Sequence, residues 1–138
     1  MMEKIKIEVA WCNKNFSATF CDNVPGCITF TASSWEDLQE EARRTIGFHV
    51  EGLIEEGDEV PQWLVDGDYE LEYSYANIAA LIRSLEPYTS LAALSRETGI
   101  NQHQLSHYAN GMKNPRPLQR QRIVEGIHSI GARLMSVI

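Results

Sequence analysis

The hydrophobic and polar positions of this chain follow two different periods, one on each side of about residue 75. Ile5, Ile7, Val9 and Trp11 alternate with Lys6, Glu8 and Ala10, the pattern of a strand with one buried face. Cys12-Asn13-Lys14-Asn15 predicts a turn, and Phe16, Ala18 and Phe20 resume the alternation. Asp22-Asn23-Val24-Pro25-Gly26 interrupts it: Pro25 has no N–H to give a central ladder, and Gly26 permits a tight bend. A third strand is expected over 27–31. The period then lengthens. Ser34 can cap a helix with Asp37 three residues on, and Leu38, Ala42, Ile46, Val50, Leu53 and Ile54 return at three- and four-residue spacing. Gly57 is a plausible stop, with Pro61 beyond it. Tyr69, Leu71 and Tyr73, alternating with Glu70 and Glu72, predict a last strand. The first half therefore reads β-β-β-α-β.

From Ala76 onward the strand period is gone. Ile78, Leu81, Ile82 and Leu85 predict one amphipathic helix, ending before Pro87. Leu91, Ala92 and Leu94 predict a second, stopped by Gly99; Leu105 and Tyr108 mark the inner face of a third, stopped at Gly111. Leu118, Ile123, Ile127, Ile130 and Leu134 support one or two more, with Gly126 or Gly131 as the point of a break. The expected fold class is α+β: a small sheet with one helix over 1–74, then five short helices over 75–138.

Composition changes this picture in two ways. With 138 residues, 43% hydrophobic and 22% charged, the chain is globular rather than disordered. It has no apolar run near the ~18 residues a bilayer span requires, and MMEKIKIEVAW has no signal-peptide core. A cytoplasmic location with no membrane role is the expectation. Cys12, Cys21 and Cys27 are odd in number and lack a CxxC pair, so they are expected as reduced packing residues rather than disulfides or zinc ligands. The charge is unequally divided. Residues 1–74 hold five Lys/Arg and 16 Asp/Glu, net −11; residues 75–138 hold seven and three, net +4, giving −7 for the whole. An acidic half joined to a basic half implies two surfaces with opposite partners.

The stretch TGINQHQLSHYANGMKNP, 98–115, carries the candidate chemistry. Gly99 stands where two helices meet steeply, Ile100 can plug the corner, and Asn101 is a good N-cap. With Leu105 and Tyr108 inward, Gln102, His103, Ser106, His107 and Asn110 fall on the outer side, where such groups can meet base edges. Lys113, Arg116 and Arg120 follow, placed to hold phosphates. A helix that is polar only because it faces water has the same composition, so composition alone does not choose. Leu91-Ala92, Thr98-Gly99-Ile100, Leu105-Ser106, Tyr108, Gly111, Lys113 and Pro115, in this order and spacing, resemble the helix-turn-helix of the phage-repressor-like XRE family. Asn101 replaces that family's usual Ser/Thr cap, and His107 stands where Arg or Lys is common.

The first half has its own resemblance. Asp22, Pro25, Gly26 and Cys27, then Glu41-Ala42 and Val60-Pro61, are similar to the turn, helix and exit of the HicB antitoxin family. That resemblance implies a partial RNase-H-like domain followed by a DNA-binding domain. It also implies neutralisation of a HicA-like basic, mRNA-cleaving toxin and repression of the chain's own operon through duplex operator DNA. Glu40, Glu41, Glu70 and Glu72 are the expected toxin-binding residues, and a homodimer or higher homo-oligomer is expected on DNA. No cofactor, no metal and no catalytic residue is expected. A nuclease would need three or four carboxylates converging on two ions about 4 Å apart. Of Glu8, Asp22, Glu70 and Glu72, only Glu8 is placed mid-strand on the long first strand. His103 and His107 share a helix face, but Gln104 stands where a zinc protease needs Glu and no third ligand is in view. His49 and His128 are expected as solvent or packing residues. A helix-turn-helix regulator with a small sensor domain and no toxin partner remains the alternative.

Overall fold

In the computed structural model, residues 2–20 and 23–138 are described; Cys21, expected as a packing residue, and Asp22, expected in the turn and among the carboxylates, lie outside the described residues. Strand β1 (Glu3–Cys12) pairs antiparallel with β2 (Asn15–Phe20) through a two-residue turn. Asn13 and Lys14 both take positive φ there, 52° and 67°, which matches the turn to the strand twist. Strand β3 (Ile28–Ala32) adds antiparallel to β2. Helix α1 (Trp35–Glu55) then starts at Ser34, whose hydroxyl accepts from the Asp37 N–H at 3.1 Å. A single helical turn, α2 (Gln62–Val65), precedes β4 (Tyr69–Tyr75), which returns parallel to β1. The result is a mixed four-stranded sheet in the order β3-β2-β1-β4.

One face of that sheet supplies Ile5, Ile7, Val9, Phe16, Ala18, Phe20 and Phe30 to a core, and α1 supplies Trp35, Leu38, Ala42, Ile46 and Val50. Burying each large side chain contributes roughly 1.5–3 kcal/mol. Trp35 meets Phe16 and Tyr73 edge to face at 5.7 and 4.9 Å, tying the start of α1 to both β2 and β4. The opposite face carries Lys4, Lys6, Glu8, Thr29, Thr31, Glu70 and Glu72, all exposed.

Several expectations change here. The turn α2 has no signature in the sequence, because four residues are too few to display a helical period. Ile54 is half exposed at the end of α1. Cys12 and Cys27 are exposed rather than packed: one ends β1 and the other precedes β3, where neither is covered. His49 is a packing residue. Its Nε2 meets the Pro25 carbonyl oxygen at 2.6 Å, its ring edge meets Phe20, and Gly26 (φ 88°) passes beneath it. A Cβ at Gly26 would lie 3.0 Å from the His49 ring, so the bend requires glycine for both conformation and room.

The second unit is all helical: α3 (Ile78–Ser84), α4 (Leu91–Thr98), α5 (Gln102–Ala109) and α6 (Pro117–Met135). The architecture is thus α+β, but with four helices here rather than five. Helix α6 runs unbroken through Gly126 and Gly131. Gly126 is buried against Thr98 and Leu94, so its role is close approach between α6 and α4, not a break. Ile78, Ile82, Leu94, Ile100, Leu105, Tyr108, Ala109 and Ile123 form the core, while Leu118 and Leu134, whose spacing supported the last helix, are 78% and 61% exposed. The compact units divide between Ala76 and Asn77, two residues beyond the expected boundary. Backbone hydrogen bonding explains the difference: the Ala76 N–H still donates to Val9 O at 2.8 Å, and Asn77 already caps α3. Among the described residues no helix is long and apolar enough to cross a membrane.

Candidate nucleic-acid interface

Helix α4 ends at Gly99, whose φ of 73° is the left-handed conformation that glycine adopts without penalty. Three side chains fix the corner that follows. Ser95 Oγ donates to Ile100 O at 2.6 Å, Arg122 Nη2 donates to Thr98 O at 2.8 Å, and Asn101 Oδ1 accepts from the His103 N–H at 2.8 Å, starting α5. Ile100 is buried in the angle.

Because Leu105, Tyr108 and Ala109 turn into the core, the opposite side of α5 is left to polar groups. Gln102, His103 and Asn110 are exposed; Ser106 and His107 are half-buried. These five residues do not stand in equal circumstances. Asn110 Oδ1 accepts from Arg83, whose Nε also donates to Ala109 O at 2.9 Å and whose Nη1 meets Glu86 at 2.8 Å. Asn110 is therefore engaged in holding the end of α5, and its Nδ2 reaches Ser106 at 3.5 Å. Among the described residues Gln102 makes no such bond. The His103 and His107 rings meet at 4.3 Å, inclined by 60°. Among the described residues, His107 Nδ1 is buried without a hydrogen-bond partner.

Lys113, Arg116 and Arg120 are exposed, and no side chain among the described residues forms an ion pair with them. Lys113 and Arg116, with Gln104 and Tyr108, line a cleft of about 740 Å³ between α5 and the start of α6; Arg120 lies outside its lining. Pro117 opens α6 with no side-chain cap and no acidic residue in the first turn. The Leu118 and Gln119 N–H groups of this first turn thus add positive potential beside the three cations. The α5 face and the cationic segment are contiguous in the chain.

The four acidic positions in the first unit are not brought together. Glu40 is exposed on α1; Glu41 is half-buried, pairs with Arg44 and accepts from Thr45 Oγ1 at 3.3 Å. Tyr73 packs on Trp35, so strand alternation sends Glu70 and Glu72 out from the other face of the sheet. There Glu72 pairs with Lys4 at 3.3 Å, both side chains about half exposed. Glu8 shares that open face with Lys4 and Lys6, opposite Ser74 in register. Among the described residues no group of three or more His, Cys, Asp or Glu could hold a metal ion. His128 is exposed. Burial raises the phenols of Tyr69 and Tyr73 above the usual tyrosine range; at Tyr73 the nearby Arg43 opposes that rise.

Two residues that shape the interface have no local signal. Arg83 and Arg122 act on backbone oxygens 26 and 24 positions away, which only the packing of α3 and α6 brings within reach. Comparison with protein-family models, curated proteins and solved structures found no match to this chain.

Proposed function

We propose that the chain is a HicB-type antitoxin that also represses its own operon. In this reading α4 and α5 form a helix-turn-helix of the XRE kind, and the first unit is a partial RNase-H-like domain that covers a HicA-like toxin. The observation that carries the DNA half is the polar outer side of α5, Gln102 to His107, followed directly by Lys113, Arg116 and Arg120 without ionic partners among the described residues. An eight-residue helix is about 12 Å long and fits the major groove. Gln102, His103, Ser106 and His107 then meet base edges, while the three cations and the start of α6 hold phosphates and fix the docking. The whole chain at −7 would be repelled by DNA, so the +4 of the helical half has to face it. One short helix reads only a few base pairs, and a dimer on a palindromic operator supplies the remainder.

The acidic half supports occlusion rather than chemistry. Lys4 and Lys6 stand among Glu8, Glu70 and Glu72 on the open sheet face, and Glu72 is already paired. A net −11 surface suits a toxin that must be basic where it holds RNA. Because α1 and the open face point opposite ways, a small toxin meets one of the two acidic pairs, not both. Co-expression with a small basic protein encoded next to this chain, followed by mass measurement, tests the pairing. Charge reversal at Glu40 and Glu41, or at Glu70 and Glu72, then tells the faces apart: one double variant releases the toxin and the other retains it. Retention by both variants, or no complex with the wild type, refutes the toxin half. Equal affinity for selected and random duplexes refutes the reader half.

A further inference from the structure

The sequence leaves the base preference of α5 open, but the surroundings of His107 narrow it. A role for His107 in base reading rests on the DNA-binding function proposed above. A neutral imidazole carries its hydrogen on one nitrogen and offers a lone pair on the other. In His107, Nδ1 is buried and meets no hydrogen-bond partner among the described residues, and the ring makes no other hydrogen bond; Nε2 is not buried in this way. Either tautomer leaves Nδ1 unpaired, but an orphaned buried N–H is the rarer of the two in folded proteins, so the tautomer adopted here keeps the hydrogen on Nε2. The same environment disfavours a metal shared with His103. A metal on Nε2 would move the hydrogen to Nδ1, where a second acceptor is normally required and none is present. His103, in ring contact at 4.3 Å, restrains the orientation.

We infer that His107 is a specificity-determining residue that presents an Nε2–H donor and selects guanine, through N7, at one position of each half-site. A donor alone is repelled by the cytosine N4 amine, meets competition from the adenine N6 amine beside N7, and finds in thymine the single acceptor O4 beside the methyl group. Guanine places two acceptors, N7 and O6, side by side in the major groove.

The test uses the full chain and the duplex it selects from a random library, measured at one salt concentration. Each guanine of the half-site is replaced in turn by 7-deazaguanine, which lacks the N7 acceptor. One replacement should weaken wild-type binding about five- to tenfold, the loss of one hydrogen bond. The same replacement should leave His107→Ala unaffected. Inosine at that position should be harmless, since the amine it lacks lies in the minor groove. His107→Arg, a pure donor, should keep the guanine preference. Wild-type binding indifferent to every 7-deazaguanine would overturn the assignment while leaving the DNA reading intact. So would His107→Ala relaxing selection at an adenine, thymine or cytosine instead. A wild-type chain that enriches no sequence at all would sink both.

Discussion

Gly126 of α6 lies so close to Thr98 of α4 that a Cβ on the glycine would stand 2.4 Å from Thr98 Cγ2. The threonine cannot easily turn aside. Its hydroxyl donates to Leu94 O at 2.7 Å and accepts from the Ile100 N–H at 3.1 Å, and both bonds help to shape the corner into α5. Gly126→Ala should therefore destabilise the helical unit by about 1–3 kcal/mol. That cost outweighs the gain of roughly 1 kcal/mol that alanine brings to a helix interior. Gly131, on the same helix, has nothing within 4 Å of its Cβ position, and Gly131→Ala should stabilise by about 0.4–1 kcal/mol. Urea unfolding, followed through amide exchange of Leu94 and Ile123, distinguishes the two signs.

The β1–β2 turn should improve with one substitution. Lys14 holds a φ of 67°, a conformation that costs an L side chain about 1–2 kcal/mol, and Asn13-Gly is the pair this turn geometry favours. Lys14→Gly should raise the melting temperature of the sheet unit, and Lys14→Val should lower it. A lower melting temperature for Lys14→Gly would mean that the lysine side chain contributes more than its backbone costs.

Alkaline pH should weaken the sheet unit. Tyr73 and Tyr69 have phenols raised by burial, so in the folded chain they ionise later than in the unfolded one. Their contribution is fully present below the ordinary tyrosine value of about 10 and is lost as pH rises through the folded values. Urea midpoints measured from pH 8 upward should decline beyond about pH 10. In Tyr73→Phe the decline should be shallower.

On the proposed DNA-binding reading, the residues assigned to phosphates and those assigned to bases should separate. Lys113→Ala should weaken binding to all duplexes alike and reduce the salt slope by about 1, whereas Gln102→Ala should cost about 1–3 kcal/mol on the selected operator only. Asn110→Ala should act mainly on stability, because Arg83 already holds its carboxamide. Fluorescence anisotropy across a salt series, paired with melts of the same variants, gives both readouts.

What the chain discloses in advance follows from how local each cause is. The alternation of Ile5, Ile7 and Val9, and the cap at Ser34, act within a few residues and are legible as they stand. Gly99 and Asn101 are legible for the same reason. Gly126 is not. Within α6 it looks like a weak point, and only the approach of Thr98 from 28 positions away explains it. Leu118 and Leu134 supported a helix by their spacing and lie in it, but periodicity does not say where the opposing helices end, and both are exposed. Among the site residues, periodicity placed the outer side of α5 but could not show that Asn110 is held by Arg83 or that His107 has one sealed nitrogen. The acidic positions were legible as charge, yet their division between opposite faces needed the parallel return of β4.

Strand β4 closes the sheet order with a neighbour on the β1 side alone. It is seven residues long, contains no proline and carries Tyr69, Leu71, Tyr73 and Tyr75, the composition of a segment that could template a second copy of itself. Glu70 and Glu72 interrupt it on the open face, and two such strands laid edge to edge would bring those carboxylates into repulsion. The pair therefore guards the margin of the sheet against growth from chain to chain, whatever else it meets. Neutralising both, as Gln or by acid, should turn a well-behaved solution into one that forms β-rich aggregates.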